Sequence, residues 1–224
     1  WFMRMRYRNE AEIEDLVDYL LPVLQDNKDD RHYDDRLAWT ADRLRECGVY
    51  DRALSVVAVM QNRSRSLYER HQVLAAQDEW KEAVSLLVDV ENMADEEWAR
   101  KALSARAHIY KDRLKEYDEA IELYRKLDNP PWTLWRIQEC HHRAGRLKPA
   151  LTVLGEIEAM FPDDAARAAW QKTWYLHQAG EKKQAIAGAR RILKVYKKHS
   201  VASNAHRLLE DYGVETGGGV FHED

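Results

Sequence analysis

Cysteine is almost missing from this chain. Cys47 and Cys140 are the only two, too few for a disulfide framework, and neither belongs to a CxxC pair. Both read as small buried apolar residues, which leaves the redox compartment open. Five prolines and nine glycines in 224 residues are too few for a protein built of strands and turns. No apolar run approaches the ~20 residues that a membrane-spanning helix needs. Neither sign of charge is in great excess: the formal net charge is −4, so the chain as a whole is unsuited to polyanions and nucleic acid is not an expected partner. Catalytic signatures are missing too, with no phosphate loop, nucleophile elbow, HExxH or dinucleotide fingerprint. The run Gly217-Gly218-Gly219 follows no strand and opens no helix. Asp26-Asn27-Lys28-Asp29-Asp30 lacks the glycine and terminal glutamate of an EF-hand loop and reads as a solvated loop. Cys140-His141-His142 looks metal-like, but adjacent helical residues diverge and do not converge on one ion. No enzymatic activity, cofactor or metal is expected.

What the chain does contain is one short pattern, five times over: Gly48-Val-Tyr50-Asp-Arg-Ala53-Leu54, Asp78-Glu-Trp80-Lys-Glu-Ala83-Val84, Lys115-Glu-Tyr117-Asp-Glu-Ala120-Ile121, Gly145-Arg-Leu147-Lys-Pro-Ala150-Leu151 and Gly180-Glu-Lys182-Lys-Gln-Ala185-Ile186. The alanines step by 30, 37, 30 and 35 residues, a period that marks a helical repeat array. One, four and seven places after each alanine stands an apolar residue: Leu54, Val57 and Met60; Val84, Leu87 and Val90; Ile121, Tyr124 and Leu127; Leu151, Leu154 and Ile157; Ile186, Ala189 and Ile192. That spacing is one face of an α-helix. Hydrophobic residues make up 45% of the chain and charged residues 33%, which suits thin, highly solvated layers.

Further helices are expected between these, over roughly Asp34–Cys47, Ser64–Ala76, Ala94–Asp112, Pro131–Ala144 and Asp163–Ala179. Gly48, Gly145 and Gly180 stop helices. Pro162 is preset for a first turn, with Asp163 and Asp164 available as caps. A first helix over Glu10–Gln25, kinked or split by Pro22, and a last one over Val201–Tyr212 close the ends. The expected organisation is a leader and capping helix (1–33), a repeat array (34–199), a C-terminal capping helix (200–212) and a flexible tail (213–224).

The spacing Gly-x-Tyr-x-x-Ala-hydrophobic, with a proline twelve residues after the alanine, resembles the tetratricopeptide repeat (TPR) family. In the repeat from Pro131 to Pro162, residues Gly145, Ala150, Leu154 and Pro162 fall where the family's motif puts them, and Tyr117-Asp118-Glu119-Ala120 matches locally. The resemblance covers about residues 34 to 198 in five copies. Departures are Asp78 in place of glycine, Lys182 in place of an aromatic, and Lys172 where an apolar residue is usual. The resemblance implies an all-α, right-handed α-α superhelix (solenoid) of about five helix pairs plus terminal helices. It also implies a binding platform or scaffold for a peptide or partner helix, with a structural subunit of a larger or self-associating assembly as the alternative.

In the family, groove-facing residues lie on the first helix of each pair. Carried onto this chain they are Trp132, Trp135, Glu139, His142 and Arg143, then Arg167, Trp170, Trp174, His177 and Gln178. Four tryptophans and two histidines would face one stretch of groove, and such aromatics with arginine dominate interface energies. Trp170 and Trp174 have a second reading as core. Earlier copies give a polar groove: Asp35, Asp42, Arg45 and Glu46, then Arg65, Tyr68 and Gln72. No paired Lys and Asn carboxylate-clamp pattern appears.

Charge is polarised. Residues 9–35 hold ten acids and two bases, and residues 181–199 hold seven bases and one acid. Arg190, Lys194, Lys197 and Lys198 are expected on one helical face, either solvated or meeting an acidic partner, nucleic acid or anionic lipid. Opposite ends could also support head-to-tail association. The chain begins at Trp1 rather than methionine, so a missing N-terminal segment is expected. Trp1-Phe2-Met3-Arg4-Met5-Arg6-Tyr7-Arg8 reads either as a membrane-flanking run, which allows a membrane tether upstream, or as a frayed leader. The compartment is not fixed, with cytoplasm and periplasm both open.

Overall fold

The structure, a computed structural model, describes residues 10–215. The arginine-aromatic run at 1–8 and the glycine run at 217–219 lie outside the described residues. Among those residues the chain is all helix, without a strand. The order is α1 (Glu10–Gln25), α2 (Tyr33–Glu46), α3 (Tyr50–Ala58), α4 (Arg63–Ala76), α5 (Trp80–Glu91), α6 (Glu96–Ile109, continued by a π turn over Tyr110–Leu114), α7 (Tyr117–Leu127), α8 (Trp132–Arg143), α9 (Leu147–Met160), α10 (Pro162–Gln178), α11 (Lys182–Val195) and α12 (Val201–Asp211). The chain forms two compact units, one ending at Lys115 and the other starting at Glu116.

The five signature alanines, Ala53, Ala83, Ala120, Ala150 and Ala185, are all 0% exposed. A methyl group there lets each helix approach its neighbours closely, and the apolar residues one to two turns on fill the space between pairs. Within the first unit Leu37, Leu44, Val56 and Val57 form one core, and Leu67, Leu87, Val90 and Ala102 the next. In the second unit Tyr124, Leu154 and Ile157 are fully buried, and Ala169, Ala189, Ile192, Ala205 and Leu209 join α10, α11 and α12. Gly188 belongs to this close packing, because a Cβ there would stand 2.5 Å from the Thr173 hydroxyl of α10.

The residue five places before each signature alanine takes a left-handed backbone, which explains how Asp78 stands in for glycine. Gly48, Gly145 and Gly180 have φ of 80°, 71° and 77°, and Asp78 and Lys115 adopt the same left-handed conformation at 61° and 58°. At four of the five positions the same closure recurs: Val49 N–H reaches Leu44 O, Glu79 reaches Leu74, Arg146 reaches His141 and Glu181 reaches Leu176. This is the Schellman ending, which satisfies the last carbonyls of a helix. Lys115 ends the π turn instead, inside the longest, 37-residue step between alanines. Because a side chain in the left-handed region strains the backbone, Lys115→Gly is expected to stabilise the chain by ~0.5–1 kcal/mol after allowing for glycine's unfolded-state entropy. Thermal melts check this, and an unchanged or lower Tm would contradict it.

Four local expectations are corrected. Pro22 neither splits nor ends α1, which runs through it to Gln25. Helix α3 stops at Ala58, so the buried Met60 lies beyond its end, in the turn that leads to α4. Pro162 starts α10 from a Phe161 cap, which places Asp163 and Asp164 inside the first turn rather than at the cap. Helix α11 ends at Val195, so Arg190 and Lys194 are helical while Lys197 and Lys198 sit in the following turn. The half-buried Tyr196 ends the helix there, with its hydroxyl 3.2 Å from Glu158 Oε1 of α9. Lys172 keeps its place in α10 because its amine lies over Gly155 of α9, 3.9 Å from where a Cβ would stand.

Candidate functional site

The side chains of α8 and α10 meet across the second unit. The Trp135 indole N–H donates to Asp164 Oδ1 at 3.1 Å, and the Arg167 guanidinium lies 4.3 Å from the Trp135 ring centre. One helical stretch further on, the His142 ring stacks on Tyr175, centroids 3.6 Å apart and planes at 7°. Burial pushes His142 below its ordinary value, which keeps the ring neutral near pH 7. Burial pushes the Tyr175 hydroxyl up, opposed by hydrogen bonds to Gln171 and Gln138. Glu139 lies between two guanidiniums, Arg143 at 2.5 Å and Arg136 at 3.5 Å. Trp132 packs edge-on to Tyr124 of α7 and under Arg136.

The rings continue along α10. Trp170 and Trp174 are 5.9 Å apart, and Trp174 and His177 5.0 Å. His177 Nδ1 lies 2.6 Å from the Tyr212 hydroxyl just beyond α12, and Lys182 approaches the Tyr212 ring at 5.1 Å. The two tryptophans divide between their two readings. Trp170 packs against the α10–α12 core, whereas Trp174 is 36% exposed. Sequence reasoning missed Asp164, Tyr175 and Tyr212 as partners. The spacing held the signal: Trp135 to Asp164 is 29 residues, His142 to Tyr175 is 33 and His177 to Tyr212 is 35, each about one repeat.

The matching positions of the first unit are occupied with one another. Arg65 pairs with Asp35 at 2.6 Å and Glu69 at 3.9 Å, Gln72 donates to Glu69, and Asp42 is held by Arg43 and Arg45. Glu46 pairs with Arg43 at 2.5 Å. Tyr68 touches Trp98, which carries Lys101 over its ring at 4.0 Å. Beneath them His71 is buried against the Tyr68 carbonyl. Burial pulls its pKa from 6.5 to about 4, aided by Arg45 and opposed by that carbonyl. The unfolded chain therefore binds the extra proton between those values. The contribution of His71 is full above about pH 6.5 and is lost as pH falls toward 4, on the order of 3 kcal/mol. Urea melts at pH 7 and pH 4.5 are expected to show this loss in the wild type and a shallower one in His71→Gln; equal pH slopes would contradict it.

Arg190, Lys194, Lys197 and Lys198 are exposed. Cys140 is buried while His142 lies on Tyr175, and among the described residues no three or more His, Cys, Asp or Glu side chains are placed to hold a metal ion. No helix among them is long and apolar enough to cross a membrane.

No family model matches the chain, and no curated protein matches it in sequence. Solved structures do match in fold. One is a Podosopora anserina chain assigned as a kinesin light chain, with nearly identical TPR-like repeats: TM-score 0.53, 14% identity, covering 74% of this chain and 96% of that one. A second is MamA, from residue 41 to its end, of Desulfovibrio magneticus RS-1: TM-score 0.52, 11% identity, covering 75% and 97%. A third is YrrB, a TPR protein with an unusual peptide-binding site: TM-score 0.50, 15% identity, covering 84% and 97%. At these identities the likeness is one of fold.

Proposed function

From the TPR-like helical repeat fold that this chain has, we propose that it is a non-enzymatic interaction scaffold. In this reading its second unit receives an extended peptide or a partner helix on the face of α8 and α10. The observation that carries it is the series of rings on these two helices, which includes the exposed Trp174. Trp135, His142 and His177 are each fixed by a partner one repeat away, so a ligand meets anchors whose rotamers are already set, which lowers the ordering cost of binding. The face also holds Arg136 and Arg143 beside Glu139, and Arg167 over the Trp135 ring. An apolar anchor beside an acidic residue is therefore the peptide chemistry that suits it.

The test is selection from a random peptide library on the immobilised chain. Enriched peptides carrying an apolar residue next to an acid support the reading. The absence of any enrichment, or peptides that bind equally well to a Trp135→Ala/Trp174→Ala variant, would sink it. Support for a membrane tether is limited to the arginine-aromatic run at 1–8, and sedimentation of the chain with anionic vesicles tests that part separately.

A further inference from the structure

The N-terminal end of the first unit exposes apolar surface. On α1, Tyr19 is 71% and Val23 48% exposed. Steps of four residues place Asp15, Tyr19 and Val23 on one helical stripe, Asp26 follows just beyond the helix, and both acids are exposed. Beside this stripe, Leu20, Val23 and Leu24 of α1 face Trp39 and Thr40 of α2 around a mainly apolar cavity of about 590 Å³ that His32, Asp35 and Arg36 also line. Apolar surface rimmed by charge marks an interaction site.

The second unit carries a surface of complementary charge. Val195, at the end of α11, is 54% exposed among Lys194, Lys197 and Lys198, all exposed. Glu158 of α9 holds both Arg191 and Tyr196, which fixes the end of α11. Among the described residues, Arg190, Lys194, Lys197 and Lys198 have no acidic partner, and Asp15 and Asp26 no basic one. The surrounding sequence strengthens the contrast, with ten acids to two bases over 9–35 and seven bases to one acid over 181–199.

We infer that the occupant of the α1–α2 surface is a second copy of this chain: the lysine-rimmed Val195 end of α11 in one molecule docks on the acid-rimmed Tyr19–Val23 stripe and groove of the next. Like surfaces repel and unlike surfaces attract, which selects the contact of the lysine-rimmed surface with the acid-flanked one. The contact is heterologous, joining two different surfaces of the chain.

Sedimentation velocity over a dilution series at ~0.05 M and ~0.5 M salt tests this, because exposed charge pairs are screened at the higher value. The wild type is expected to show reversible association that weakens at high salt. Asp15→Lys/Asp26→Lys makes both surfaces basic and Lys194→Glu/Lys197→Glu makes both acidic. Each variant alone is expected to lose association by at least about tenfold in affinity, with Tm unchanged since all four sites are exposed. An equimolar mixture of the two is expected to regain it. Three results would overturn the proposal: a wild type that stays monomeric throughout, association that either reversal leaves intact, or a mixture that fails to recover. A wild type that is monomeric yet binds an unrelated basic peptide at Tyr19 would assign the surface to a different partner and equally reject the second copy.

Discussion

Leu154→Ala is expected to destabilise the second unit by ~2–5 kcal/mol, the cost of a leucine-sized cavity in a core that cannot fully collapse. Leu154 is 0% exposed on α9, which packs between α8 and α10, so the cavity would weaken the joint on both sides of one helix. For a unit of about a hundred residues, that corresponds to a fall in Tm on the order of 10–20 °C. In a repeat array, stability is a sum of repeat terms and nearest-neighbour terms. Hydrogen exchange should therefore quicken most in α8, α9 and α10 and least in α2 and α3. The half-buried Leu151, one turn earlier, sets the comparison: Leu151→Ala should cost clearly less. Equal effects at the two positions, or exchange that quickens uniformly from α1 to α12, would contradict the layered packing.

Replacing Trp135 and Trp174 together by alanine is expected to weaken a library-selected peptide by at least ~30-fold, about 2 kcal/mol, because two ring anchors are removed from the centre of the proposed face. The stability cost should be modest. Trp174 is open to solvent, and Trp135 is half-buried with its indole bonded to Asp164, so neither fills a closed core. Calorimetric titration alongside a thermal melt separates the two effects. Trp170→Ala is the contrasting variant: Trp170 packs on the α10–α12 core, so its loss should lower Tm by more than either of the other two. A Trp174→Ala variant that binds as tightly as wild type would remove Trp174 from the site.

Much of this architecture was legible in the chain because it rests on small residues at fixed spacing. The five alanines and the apolar residues one to two turns after them are buried or half-buried as their period implies. Asp78 looks like a departure on paper, yet it takes the same left-handed backbone as the glycines at the matching positions, and so does Lys115. What was not legible depends on neighbours about a repeat away. Trp170 and Trp174 share a helical face by spacing alone, but α12 packs against the first and leaves the second open. Asp164 reads as a helix cap until Trp135 claims its carboxylate. Lys197 and Lys198 continue a basic stripe in sequence, but Tyr196 binds Glu158 and the helix has already stopped. The groove between α1 and α2 is set by side-chain volumes across two helices, a quantity that periodicity does not carry.

The chain has eight tryptophans, so eight indole N–H signals report on its surfaces at once. The central claim is that the α8–α10 face is where a partner binds. Titrating isotopically labelled chain with the library-selected peptide tests it most directly. The indole signals of Trp135 and Trp174 should move together and saturate, while those of Trp39, Trp80 and Trp98 in the first unit stay in place. Movement of Trp39 or Trp98, with Trp135 and Trp174 unmoved, would place the binding site in the first unit and contradict the account.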